Sequence, residues 1–299
     1  MTVSPGGVVD AHHHLWDAER TDYPWMTGPF APLRRVYGPA DLAPHLVRND
    51  VRATVVVQAR ADLEETEELL GWAGCTPFIA GVVGWVDLTS PRLRDDLAVL
   101  AALPGGDRLV GLRHGAADEA DEAWLLHDDV GRNLNALPGL GLTFDLEITA
   151  RELPAAVELV RRLPDVRFVV DHGAKPPIAT GGAASWTPGI AALAAAPNVW
   201  CKLSGLVTEA DWARLAPSDL RPYVDTLLAA FGPARLMFGS DWPVCELAGG
   251  YDAVLAAAAD CLAGLSAGER EQVFVGTASE CYGLRTPQPS TRADPGVTR

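Results

Sequence analysis

Three short segments hold residue types that could do chemistry together. They are Asp10-Ala11-His12-His13-His14 near the start, Asp171-His172-Gly173-Ala174-Lys175 past the middle, and Gly239-Ser240-Asp241-Trp242-Pro243 toward the end. In extended backbone, successive side chains face opposite ways, so His12 and His14 share one face and His13 takes the other. Two imidazoles on one face can bind a divalent ion. A histidine-rich loop or part of a purification tag is the competing reading, and three histidines embedded between Asp10 and Leu15-Trp16 do not resemble a tag. His172 follows an apolar run, where it can be a third ligand, an electrophile or simply a core histidine. Asp241 offers a carboxylate that can be both a metal ligand and a general base. A helix-capping aspartate is the alternative there.

These groups lie far apart in sequence, so the fold must gather them. Short apolar, β-branched runs predict strands at Val8–His12, Thr54–Gln58, Phe78–Val86, Leu109–Arg113, Leu142–Asp145, Arg167–Val170, Val199–Lys202 and Leu236–Phe238. Between them, apolar residues recur at helical spacing, as in Leu63–Trp72, Pro91–Leu103, Trp124–Leu137, Arg151–Leu163, Ser218–Phe231 and Tyr251–Leu262. Strands alternating with crossover helices imply a parallel sheet. Eight such units predict an α/β fold, a single-domain (β/α)₈ barrel over residues 1–285. An open doubly wound sheet would normally place a glycine-rich phosphate loop after its first strand, and none is present. The segment from Trp16 to Tyr37 is polar and aromatic without periodicity, and reads as a long loop over the barrel mouth. Residues 286–299 are rich in Pro, Ser, Thr and Gly and read as a disordered tail.

A barrel enzyme works at the C-terminal ends of its strands. The predicted strands do end in polar groups: His12 to His14, Gln58, Asp87 beyond Trp85, Arg113-His114, Asp145 and Glu147, Asp171-His172, Lys202 and Ser204, and Ser240-Asp241. Five of the seven histidines fall at such ends, and only His45 and His127 fall in predicted helices.

Composition narrows the partners. The net charge of −15 repels a phosphate backbone and argues against nucleic acid. No apolar run approaches the roughly 20 residues of a membrane span, and the N-terminus carries no signal-peptide pattern. Five scattered cysteines without a C-x-x-C motif suggest reduced thiols in a cytoplasmic protein. A homo-oligomer is compatible with all of this.

The series His12-x-His14, Gly111-Leu-Arg-His114, Asp171-His-x-x-Lys175-Pro, Lys202-Leu-Ser-Gly205 and Gly239-Ser-Asp-Trp-Pro243 resembles the amidohydrolase superfamily. Asp10-to-Trp16 and Tyr23-Pro-Trp25 place the likeness in its sugar-lactonase group, alongside fuconolactonases, rhamnonolactonases and 2-pyrone-4,6-dicarboxylate lactonases. The resemblance implies that His12, His14, His172 and Asp241 line the catalytic centre and form the candidate metal set. Two-metal members carry a bridging lysine or carboxylate after strand four, where this chain has Arg113-His114. Strand five ends in Asp145 and Glu147, where many relatives have a ligating histidine. The expectation is therefore one divalent ion, zinc suiting the residue types best, or a metal-free site.

The resulting expectation is a hydrolase that opens a small sugar-acid lactone, with Asp241 activating water against the ester carbonyl. Trp25, Trp85 and Trp242, with Trp16, are candidates to cover the ring. Gln58, Arg113, His114 and Asp145 are candidates to hold hydroxyls or the carbonyl. A dicarboxylate substrate would call for several arginines, and only Arg113 and Arg60 are at hand, so a neutral polyhydroxy substrate is favoured. Lys175 or Lys202 can contact substrate, Lys202 can equally pair with Asp171 or Asp145 inside the barrel, and a buried lysine can form a Schiff base. Two rival functions are a metal-dependent decarboxylase and a non-catalytic sugar-binding barrel.

Overall fold

The computed structural model describes residues 3, 6–212 and 217–285. The expected disorder of residues 286–299 lies outside them. Eight strands form one sheet in sequence order: β1 Val8–His13, β2 Val51–Val57, β3 Ile79–Gly84, β4 Leu109–Gly115, β5 Thr143–Glu147, β6 Phe168–Val170, β7 Val199–Leu203 and β8 Leu236–Phe238. Every adjacent pair is parallel. Each crossover carries at least one helix. In chain order these are α1 Pro39–Arg48, α2 Leu63–Cys75, α3 Leu93–Ala102, α4 Asp128–Leu134, α5 Leu153–Arg162, α6 Ala183–Ala194 and α7 Pro217–Phe231. Beyond β8 follow α8 Tyr251–Cys261, α9 Ala267–Glu271 and α10 Thr277–Tyr282. This is the (β/α)₈ barrel expected from the alternation of periods.

The barrel closes in an unusual way. β8 and β1 share no continuous ladder. They meet at one parallel bridge, His13 with Trp242, where His14 N–H donates to Trp242 O at 2.6 Å and Asp241 N–H donates to His12 O at 2.8 Å. Asp10 binds the seam from beneath. Its carboxylate accepts from Ser240 N at 2.8 Å, Ser240 Oγ at 2.6 Å and Tyr251 OH at 3.0 Å. Gly239 is required here, because a Cβ would come within 2.6 Å of His12 Cβ.

The main core packs the outward strand faces against the helices. A smaller cluster, including Val9, Ala11, Val55, Val57, Val169 and Met237, meets Cys281 and Tyr282 of α10. Tyr282 OH donates to Asp145 Oδ2 at 2.7 Å.

Two expectations need correction. The Trp16–Tyr37 segment is not an irregular loop throughout. Trp16–Asp17 pairs antiparallel with Val36–Tyr37, and a 3₁₀ helix spans Gly28–Leu33. Its aromatic rings pack on one another, Trp16 against Tyr23, Trp25 and Tyr37 at 5.5–5.8 Å, and the burial of Trp16, Tyr23 and Tyr37 offsets the entropy of ordering the chain. The predicted helix Trp124–Leu137 is split into a 3₁₀ turn, Trp124–Leu126, and α4. Between them His127 is extended (φ −61°, ψ 140°), so it is not a helical residue. Among the described residues, no helix is long and apolar enough to cross a membrane.

Candidate active site

At the C-terminal end of the barrel, β1 and the turn after β8 bring three ligand-type atoms together. His12 Nε2 lies 3.2 Å from His14 Nε2 and 3.8 Å from Asp241 Oδ1, and His14 Nε2 lies 3.4 Å from Asp241 Oδ1. All three residues are buried. Ligand atoms about 2.1 Å from a tetrahedral zinc ion lie roughly 3.4 Å apart, and these separations bracket that value. The donor set therefore fits one divalent ion. The surroundings orient it: His14 Nδ1 donates to Val57 O at 2.8 Å, which leaves the Nε2 lone pair facing the centre. His13 turns the other way, with Nε2 2.9 Å from Thr54 Oγ1.

His172 belongs to a second grouping, with His12 and Asp171. Its ring lies 4.5 Å from that of His12, and its Nδ1 lies 2.9 Å from Ser204 Oγ. The backbone from His172 through Lys175 is left-handed at every residue (φ 53°, 57°, 60° and 47°). This tight turn aims His172 and Lys175 into the same cavity. Gly205 makes room for it, since a Cβ there would come within 2.4 Å of His172 Nδ1. Burial holds the His172 imidazole below its ordinary value, against the pull of Asp241 and Asp171. Burial, and then the Lys202 ammonium, push His12 well down too. Both rings are neutral at neutral pH.

The cavity above these groups is open to solvent. Trp25, Phe30, Gln58, Arg113, His114, Asp118, Glu119, Glu147, Lys175, Thr208 and Glu209 wall it, with His14, His172 and Asp241 at its base. Lys175 Nζ lies 2.7 Å from Glu147 Oε1, and Arg113 lies 3.3 Å from Asp171 Oδ2. Burial would raise Glu147, but Lys175 and Arg113 outweigh it and hold the carboxylate far below its usual range.

A family model described as amidohydrolase matches residues 9–284. The chain belongs to the amidohydrolase family. This amidohydrolase is 42% identical to an L-fucono-1,5-lactonase of Burkholderia ambifaria, over 93% of this chain and 96% of that one. It is 41% identical to the L-fucono-1,5-lactonase of Burkholderia multivorans, over 93% and 97%. Among solved structures, an amidohydrolase from B. multivorans with bound zinc superposes with a TM-score of 0.88 at 40% identity, over 93% of this chain and 99% of that one.

The amidohydrolase site holds Trp25, Gln58, Arg113 and His114 at the cavity wall, where sequence reasoning put them. Four candidates for substrate contact stand elsewhere. Asp145 is fully buried below the floor, bound to Lys202 and Tyr282. Trp242 is buried behind the seam, packed on Tyr37 and His45. Trp85 does not line the cavity, and instead its Nε1 donates to His114 Nδ1 at 3.0 Å. Trp16 is buried as well. Lys202 takes the structural option, pairing with Asp145 Oδ2 at 2.6 Å and Asp171 Oδ1 at 2.9 Å. Sequence reasoning missed Phe30, Asp118, Glu119, Thr208 and Glu209. All lie in connections beyond strand ends, and that position in a barrel was the one available signal.

Proposed function

We infer that this amidohydrolase opens the lactone ring of a sugar acid, with L-fucono-1,5-lactone or a close stereochemical relative as substrate. The observation that carries the reading is Asp241, set against the His12–His14 pair at the base of a cavity walled with hydrogen-bonding groups. The L-fucono-1,5-lactonases at 41–42% identity support the substrate class. The decarboxylase and sugar-binding alternatives are not favoured. Solved decarboxylases of this fold are only 12–14% identical and share the fold alone.

His12, His14 and Asp241 would hold one divalent ion, zinc suiting them best. Such an ion supplies Lewis acidity for the carbonyl and eases the ionisation of water. The chain's own groups do the rest. Asp241 takes a proton from the attacking water and returns it to the departing ring oxygen. His172 is neutral. With Nδ1 accepting from Ser204 Oγ, its Nε2–H can donate to the developing oxyanion. Arg113 stands at the cavity wall, where its guanidinium charge would attract a carbonyl or hydroxyl oxygen of the substrate. Glu147, Lys175, Glu209 and Asp118 offer donors and acceptors for ring hydroxyls, and Trp25 and Phe30 offer an apolar wall.

The test is a pH-indicator assay of acid release from a panel of 1,5- and 1,4-aldonolactones, run with zinc-loaded and chelator-treated protein. Acid release that is fastest with the L-fucono-configured lactone is expected. No turnover of any lactone by the zinc-loaded protein would refute the reading.

A further inference from the structure

Beneath the site lies a buried cation that the reaction above does not use. Lys202 is fully buried. Its Nζ lies 2.6 Å from Asp145 Oδ2, 2.9 Å from Asp171 Oδ1 and 3.0 Å from His12 Nδ1. An ammonium has three N–H donors and no acceptor. Two acceptors take aligned hydrogen bonds from it, Asp145 Oδ2 and His12 Nδ1, while Asp171 Oδ1 stands beside it as an ion-pair partner with no hydrogen bond of its own. His12 Nδ1 is then an acceptor, so the proton of the neutral ring sits on Nε2. That proton has a partner in His14 Nε2 at 3.2 Å. His14 can accept there because its own Nδ1 donates to Val57 O. From Lys202 through His12 and His14 to Val57, each step runs from a donor to an acceptor.

A metal ion requires the opposite arrangement. It needs the Nε2 lone pair of His12, so the ring proton must move to Nδ1 and find an acceptor. The ammonium cannot be one. Asp171 Oδ1 can, at 3.3 Å from His12 Nδ1, since it is buried without a hydrogen-bond partner of its own.

We propose that Lys202 and Asp171 form a tautomer switch under His12, with Lys202 favouring the metal-free ring and Asp171 the metal-ready one. His12 stays neutral in both states. One proton leaves Nε2 to cavity water, one arrives at Nδ1 from water, and the charge of the floor does not change. Lys202 is thus a positioning residue that weakens metal binding, and Asp171 one that strengthens it. The inference rests on His12, His14 and Asp241 being the metal-binding triangle.

The experiment is nitrogen-15 NMR of the full chain labelled at histidine, with chelator and then with zinc, the His12 signals being assigned by their loss in His12→Asn. In chelator the His12 proton is expected on Nε2, moving to Nδ1 on zinc addition. A ring already protonated on Nδ1 in chelator would overturn the proposal. Zinc affinity, measured by chelator competition, supplies the second readout. The pair Lys202→Met with Asp145→Asn removes the competing donor, and leaves Asp171 facing Arg113 with the net charge of the floor unchanged. It should show Nδ1–H in chelator and bind zinc several-fold more tightly, whereas an unchanged tautomer and affinity would overturn the switch. Asp171→Asn should bind zinc about 10- to 100-fold more weakly. If the wild-type chain binds no zinc, the metal reading fails, while the spectrum in chelator still decides the tautomer.

Discussion

Asp241 holds a backbone angle of φ +57°, a conformation that costs an ordinary L-residue roughly 1–2 kcal/mol. Its N–H is tied to His12 O, and the carboxylate is thereby aimed at the imidazole pair. Asp241→Asn keeps the shape and removes the proposed base. Turnover should fall by about 10³-fold or more, with the thermal midpoint within a few degrees of wild type. Near-normal turnover would sink the assignment. Glu147 makes a prediction in pH. Its folded value lies far below its ordinary 4.5, because Lys175 and Arg113 outweigh burial. The carboxylate therefore contributes stability that is fully present above about pH 4.5 and fades as pH falls toward the folded value. Urea unfolding from pH 6 to pH 3 should show wild type losing more stability than Glu147→Gln. Parallel curves would contradict it.

The element that matters most is the seam between β1 and β8. Other strand pairs are held by ladders, but this one is held by a single bridge and by Asp10. The proposed catalytic residues His12, His14 and Asp241 sit directly on that seam, so its rigidity is theirs. Asp10→Ala strands the Ser240 and Tyr251 donors in a buried place. It should cost about 3 kcal/mol or more by urea unfolding, and a loss below about 1 kcal/mol would remove Asp10 from this role. The left-handed turn after β6 depends on Gly205 in the same way. Gly205→Ala adds a Cβ against His172 at φ +62° and should lower kcat more than it raises KM, because it displaces a group proposed to meet the transition state.

At the scale of the whole molecule, a bound ion would join the two ends of the polypeptide, since His12 and Asp241 stand at opposite ends of the barrel sequence. Ligands that bind only the folded state stabilise it by mass action. Zinc at about a hundredfold its Kd should contribute roughly 2.7 kcal/mol, a rise in the thermal midpoint of about 5 °C. Calorimetry with zinc and with chelator measures this directly, and identical midpoints would argue for a site that works without metal.

Much of this was determined by residue order alone. Alternation of β-branched runs with helical periods is a local property, so the eight strands, and the polar groups at their ends, were readable before any coordinates. His12 and His14 shared a face by the two-residue period of a strand. Burial and partner choice are not local properties. Nothing near Asp145 or Trp242 in the chain says that one is beneath the floor and the other behind the seam, because those places are made by Lys202, Tyr282, Tyr37 and His45, each distant in sequence. Glu209 and Asp118 carried no motif and became wall residues only when the barrel closed. Chain order supplied the chemistry and the scaffold, and the tertiary packing decided which polar groups face the cavity and which are locked below it.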